Sequence, residues 1–190
     1  MELIEVTPPA AEPVSLTTLK LHLRVDATTE DTLLAVYLAA ARRTCEGLAR
    51  RAFITQTLAV LLDCWPKESI VKLPRPPLIS ITSVTWKDKD GNSNNFTDFV
   101  SDNTSTPGRL SLAYAKAWPG GTLYPVGAIK IQFTCGYGAA ETNVPEHFRQ
   151  AVLLLAAYSY EHRLSVSSNQ LEEVPFGVKM LCKMDRGSWL

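Results

Sequence analysis

The sequence predicts an α+β fold: a small helical body, made of two N-terminal helices and one long buried C-terminal helix, with an antiparallel β region inserted between them. Three observations carry this expectation. Residues 12–57 read as a short helix, a polar turn and a long helix, and the apolar period then changes to two at Ile54. Prolines, glycines and the pair Asp90-Gly91 punctuate short alternating segments as far as Gly138. A segment that is apolar almost all round comes next, from Pro145 to Arg163. Helices before and after a block of strands make that block an excursion, unlike the regular alternation of an α/β protein.

The elements run in order. Met1 to Pro13 is proline-rich and reads as an extended arm. Ser15 is a suitable N-cap for a helix over about 16–23, with Leu16, Leu19 and Leu23 on one face. Asp26 to Glu30 is a polar connection. A second helix is expected from Asp31 to Arg51, with Leu34, Leu38, Ala41, Cys45 and Leu48 as its apolar stripe. Asp31 near its start and Arg50 and Arg51 near its end suit the helix dipole. Strands are expected at Thr55–Asp63, Ile70–Leu73, Leu78–Lys87, Asn94–Val100, Arg109–Ala113 and Ala128–Phe133. Asp90-Gly91 is the tight turn of one hairpin. Pro145 starts the third helix, where its missing N–H does no harm. The tail from Val174 to Leu190 reads as weakly folded, with a helical turn or two around Val178 to Cys182. The expected organisation is one domain over 1–190, with a helical body at 14–53 and 143–164, a β excursion at 54–138 and a C-terminal docking tail at 165–190.

Composition excludes several classes. A chain of 190 residues with 46% hydrophobic and 20% charged residues is globular. Lys+Arg and Asp+Glu are both 19, so the chain lacks the basic excess of a protein that coats nucleic acid. Cys45, Cys64, Cys135 and Cys182 show no C-x-x-C spacing and read as free thiols in a reducing compartment. His22, His147 and His162 make no H-E-x-x-H pair, so neither a zinc site nor any cofactor is expected. The N-terminus does not have the pattern of a signal peptide, and the apolar run Ala151–Tyr158 is too short to span a bilayer, so no membrane partner is expected.

Apparent motifs dissolve on inspection. An EF-hand loop starting at Asp88 needs glycine sixth and glutamate twelfth, but the glycine is fourth and Phe99 is twelfth. Gly136-Tyr137-Gly138 has no third glycine opening a helix, and reads as a strand-ending turn. No G-x-S-x-G elbow is present, and neither His147 nor His162 lies in a nucleophile–base motif, so no catalytic residues are expected. Trp65, Trp86, Trp118 and Trp189 are scattered and form no stacking platform for single strands.

The ordered set of segments resembles the head–tail connector (adaptor) family of tailed bacteriophages and prophages. The pieces that carry the resemblance are Glu12-Pro-Val-Ser-Leu16, Lys20-Leu-His-Leu-Arg-Val-Asp26, Asp31-x-Leu-Leu34 and Ala39-Ala-Ala-Arg42 with Glu46. They continue with Gln56-Thr57, Leu73-Pro-Arg-Pro-Pro-Leu78, Ile81-Thr-Ser-Val84 and Asp90-Gly91. The last are Phe133-Thr-Cys-Gly-Tyr-Gly138, Val144-Pro145 and Tyr160-Glu-His-Arg163. In the tail, related chains often close with a Leu-Leu-x-Pro-Tyr-Arg-like stretch, where this chain reads Leu181-Cys-Lys-Met-Asp-Arg186.

The resemblance implies a structural virion protein with no chemistry of its own. It would sit at the portal vertex and be assembled in the bacterial host cytoplasm. Copies would form a ring on the portal protein, usually of twelve. The ring would extend the DNA channel toward the next connector or tail-completion protein, and DNA would pass without sequence recognition. Two surfaces are expected on this basis. Portal docking falls to the apolar tail, through Phe176, Met180, Leu181, Arg186 and Trp189. A charged subunit seam falls to the second helix, through Arg42, Arg43, Glu46 and Arg50, spaced for opposite charges at i, i+4. The rival readings are a β-rich binding module of a phage particle using the Trp118 loop, and a small hydrolase joining a Cys or Ser to His147 or His162.

Overall fold

A computed structural model describes residues 1–162 and 174–186. It has an α+β fold, and the chain forms two compact units. One is helical, from residues 10–54 and the described part of 137–188. The other is built of strands, from residues 1–9 and 55–136.

In the helical unit, α1 spans Leu16–Leu23 and α2 spans Asp31–Ala49. The Ser15 hydroxyl caps α1 by accepting the Thr18 N–H at 3.2 Å. A 2.7 Å ion pair between Lys20 and Asp31 ties the two helices together. Both helices stop on an arginine in the left-handed conformation, Arg24 and Arg50, each at φ 56°. Left-handed caps usually carry glycine. Without that marker the sequence pattern extends α2 to Arg51, two residues beyond its end.

The third helix, α3, spans Glu146–Glu161 and the fourth, α4, spans Phe176–Lys183. One core joins all four. Leu19, Leu34, Leu38, Cys45, Phe53, Phe148, Val152, Leu155, Val178 and Cys182 are buried in it. Phe53 stacks on Phe148 with centroids 4.6 Å apart, and Tyr137 lies 6.2 Å from the same ring. The helical turn or two expected around Val178 to Cys182 is α4, and these two residues enter the core one turn apart.

In the β unit, β1 spans Glu2–Thr7, β2 Gln56–Leu62, β3 Ile70–Lys72 and β4 Leu78–Lys87. Then come β5 at Ser93–Asn95, β6 at Phe99–Asp102, β7 at Arg109–Leu112 and β8 at Ile129–Cys135. One antiparallel sheet has the order β1-β2-β8-β4-β5 and a second has the order β3-β7-β6. The expected N-terminal arm is therefore partly a strand, paired from Glu2↔Leu61 to Thr7↔Thr57. Its partner lies far along the chain, a pairing that local pattern does not reveal.

The return strand expected over Asn94–Val100 is split between the sheets. Phe96 interrupts it by turning into an aromatic cluster. It lies 5.5 Å from both Trp65 and Trp118, and those two indoles stack at 4.7 Å. Trp118 Nε1 also donates to the Glu68 carbonyl at 3.0 Å. In the second sheet, Asp102 accepts from Ser105, Thr104 and Arg109, with Arg109 Nη2 at 2.6 Å. These bonds, Ser105's first, hold its carboxyl well below the usual carboxylate range.

Because Phe148 anchors the ring stack and is fully buried, Phe148→Ala is expected to destabilise the helical unit by about 3–5 kcal/mol. Urea unfolding followed by far-UV circular dichroism measures this.

Candidate interaction surfaces

Helix α2 turns two of its charges inward. Arg42 is only 3% exposed and Glu46 6%. Arg42 Nη1 donates to Glu46 Oε2 at 2.9 Å, and Arg42 Nε donates to Glu12 Oε2 at 2.8 Å. The other Glu46 oxygen, Oε1, accepts the backbone N–H of Phe53 at 2.8 Å. The cluster thus joins the residues before α1, the body of α2 and the chain just after α2. Burial pushes the Glu12 carboxyl up, and the Arg42 charge opposes that shift.

Of the four residues expected at the seam, Arg42 and Glu46 are thus buried and bonded within their own chain. Their spacing at i, i+4 is as expected, but the pair borders the apolar stripe, one position beyond Ala41 and Cys45. Arg43 is exposed, and Arg50 is half-buried at the helix cap.

The tail both straps its own unit and presents a surface. Arg51 Nε donates to the Asp185 carbonyl at 2.6 Å, and Arg51 Nη2 pairs with its carboxylate at 2.9 Å. The Tyr137 hydroxyl donates to the same carboxylate at 3.4 Å. With Val178 and Cys182 inside, α4 leaves Phe176 68% exposed, Met180 51% and Met184 71%. These three recur every fourth residue and share one outward face. Leu181 is half-buried against the core. Arg186 is exposed, and Trp189 lies outside the described residues. Met184, which is not among the expected docking residues, shares this face through its spacing from Met180.

The remaining candidates have other surroundings. Trp118 is half-buried and stacked in the β unit's own aromatic cluster. The hydrogen bond that Cys45 shares with Cys182, together with burial, pushes the Cys45 thiol above its ordinary range. Such a thiol is a poor nucleophile. Among the described residues no group of His, Cys, Asp or Glu is placed to hold a metal, and no helix is long and apolar enough to cross a membrane.

Comparison with known proteins decides among the readings. Residues 13–104 match the family of phage gp6-like head-tail connector proteins. Among solved structures, a chain in the neck of an empty gene transfer agent (GTA) particle, computed with C6 symmetry, superposes with a TM-score of 0.80 at 28% identity, covering 96% of this chain and 93% of that one. The chain is similar to head–tail connectors in sequence over residues 13–104 and in fold over nearly its whole length. Two further matches have the same identity and coverage: the virion of a native GTA particle, with a TM-score of 0.77, and the neck of a native GTA particle computed with C12 symmetry, with a TM-score of 0.73. None of the curated proteins matches the sequence. The family match covers α1, α2 and the strands from β2 to β6, and the structural matches extend the likeness to 96% of the chain.

Two outcomes test this account of the surfaces. Glu46→Ala should cost about 3–5 kcal/mol, because it leaves a buried arginine short of a partner. Arg43→Ala should stay within about 0.5 kcal/mol of wild type, because Arg43 is exposed. Denaturant unfolding compares the two. Burial, with the Asp185 carboxylate acting in the same direction, pushes the Tyr137 hydroxyl up to about 12. Its contribution to stability is therefore full below pH about 10, the unfolded value, and is lost as pH rises through about 12. Absorbance titration of wild type and Tyr137→Phe should differ by one late-ionising phenol.

Proposed function

We propose that this chain assembles as a ring of copies at the neck of a phage-like particle, on the portal protein, and extends the DNA channel toward the tail. The observation that carries the reading is the likeness over 96% of the chain to subunits of GTA necks solved with C6 and C12 symmetry. No catalytic step is assigned to either unit.

The charge distribution supports a conduit. The β unit holds eight Lys or Arg against eight Asp or Glu, and the helical unit holds eleven against eleven. A strongly basic lumen would retain phosphates through counterion release. Balanced units let DNA slide, and sequence readout has no part in that task. The tail-side partner is the next connector or tail-completion protein.

The portal contact falls to the outward face of α4. Phe176 and Met180 supply large, adaptable apolar groups, the kind favoured at contact cores. Arg186 stays exposed beside them as a rim charge, and Met184 extends the stripe. Leu181 contributes by fixing α4 to its own core. The seam between copies lies on the α2 side of the helical unit, where Arg43 and Arg50 remain from the four charged candidates.

Truncating the tail is a poor test, because it would also remove Val178 and Cys182 from the core. The double variant Phe176→Asp, Met180→Asp alters only exposed side chains. It should keep the wild-type unfolding midpoint while losing at least about tenfold in affinity for purified portal, a loss of roughly 1.4 kcal/mol or more. Full affinity in that variant would remove the tail assignment. Images of portal vertices with no ring of this protein would remove the adaptor reading itself.

A further inference from the structure

Helix α2 exposes an outer face with little charge, while two of its charges are buried. Its exposed residues are Thr32, Leu33, Ala35, Val36, Ala40, Arg43, Thr44 and Gly47, of which one is charged. Its buried residues include both Arg42 and Glu46. A surface helix ordinarily turns its charges to water and its small apolar groups to the core. Here Leu33 is 37% exposed and Val36 59%. Leu33, Val36, Ala40 and Gly47 are set at helical spacing along one outward stripe. Thr44 adds no demand for water, because its hydroxyl donates to the Ala40 carbonyl at 3.0 Å and is satisfied within the helix.

Gly47 supplies an independent observation. It lies within α2, in the right-handed helix, where glycine is less favourable than alanine. A Cβ built on it meets nothing within 4 Å. Gly138 behaves differently: a Cβ there would fall 2.5 Å from Asn143, so its own fold forbids a side chain. The fold of this chain therefore gives no reason for the missing side chain at Gly47. Close approach by the backbone of another chain does, since small residues allow two helices to pack more closely than their usual separation of about 8–10 Å.

We infer that the outward face of α2, Leu33–Val36–Ala40–Gly47, is the surface on which a second copy of this chain packs, with Gly47 at the point of closest approach. The occupant is a second copy because the ring reading above, on which this inference rests, requires each subunit to present a face to its neighbour. In a cyclic ring that contact is heterologous, so the face need not match itself. Arg43, the one charge among the exposed residues of α2, lies on the same stripe, between Ala40 and Gly47. The seam is thus largely apolar and close-packed, with the single charge of Arg43 within it, in place of the ladder of ion pairs that the spacing of Arg42, Glu46 and Arg50 suggests.

The experiment uses the full chain, alone and with purified portal, and follows ring formation by sedimentation and negative-stain imaging. Gly47→Ala should raise the thermal unfolding midpoint of the unassembled chain, because alanine is the better helix former. Gly47→Leu should leave the chain folded while raising the concentration needed for rings at least about tenfold, equivalent to about 1.4 kcal/mol. Val36→Asp, at a position more than half exposed, should do the same through a different residue. Rings of Gly47→Leu and Val36→Asp at the wild-type concentration would overturn the seam and leave the connector reading intact. A lower unfolding midpoint for Gly47→Ala would also overturn it, by showing that the chain's own fold needs the glycine. If the wild-type chain forms no ring even on the portal, it is the ring reading that fails.

Discussion

The buried pairing of Arg42 with Glu46 fixes the orientation of the longest helix, and most of the helical unit depends on that orientation. Removing two charges from water is costly, and their attraction recovers it only when the remaining hydrogen-bonding positions are filled. They are filled here by Glu12 on one side and the Phe53 N–H on the other. A register in which α2 rotated these charges outward would leave the Phe53 N–H unmet and Glu12 without its partner. The cluster therefore selects one rotation of α2. Any net stabilisation beyond an apolar alternative is secondary.

That rotation sets the packing of the other helices. It directs Leu34, Leu38, Ala41 and Cys45 into the core, where α3 and α4 meet them. It also brings Phe53 against Phe148, so the chain leaves α2 along the ring stack. Arg51, just past the left-handed cap at Arg50, then reaches the tail through Asp185. The tail helix is held by packing at Val178 and Cys182 and by this ion pair, which leaves its Phe176–Met180–Met184 face clear. Folding and presentation are thus coupled: the contacts that fix α4 at its inner face are the reason its outer face is available.

The order of the elements was legible because apolar periodicity is local. The helix at Leu16–Leu23 and the strand at Leu78–Lys87 fall at their expected limits, since Ser15, Pro77 and the Asp88–Asn92 turn mark their ends chemically. What stayed hidden depended on distant partners. β1 has an unremarkable sequence and becomes a strand only because β2 offers it an edge. The split after Asn95 depends on Phe96 finding Trp65 and Trp118 across two long loops. The burial of two charged candidates on α2 stayed hidden for a related reason. Spacing at i, i+4 shows that Arg42 and Glu46 can pair, but it does not say on which side of the helix. That is decided by Glu12, well before α2 in the chain, and by the backbone at Phe53.

The displaced charges and the exposed apolar stripe on α2 are two consequences of one choice. A 19-residue helix has a fixed circumference. If Arg42 and Glu46 take places at the edge of the inner face, the outer face loses most of its charge and is left with Arg43 among alanine, threonine, glycine, leucine and valine. In a permanent monomer such a face would have no compensating contact, and exposed apolar patches are uncommon without a partner. In a subunit whose relatives occupy necks with six- and twelve-fold symmetry, the same face has an occupant to bury it. The inner polar cluster then serves two levels of structure, because the rotation that completes the fold of one copy is also the rotation that offers the next copy an apolar surface.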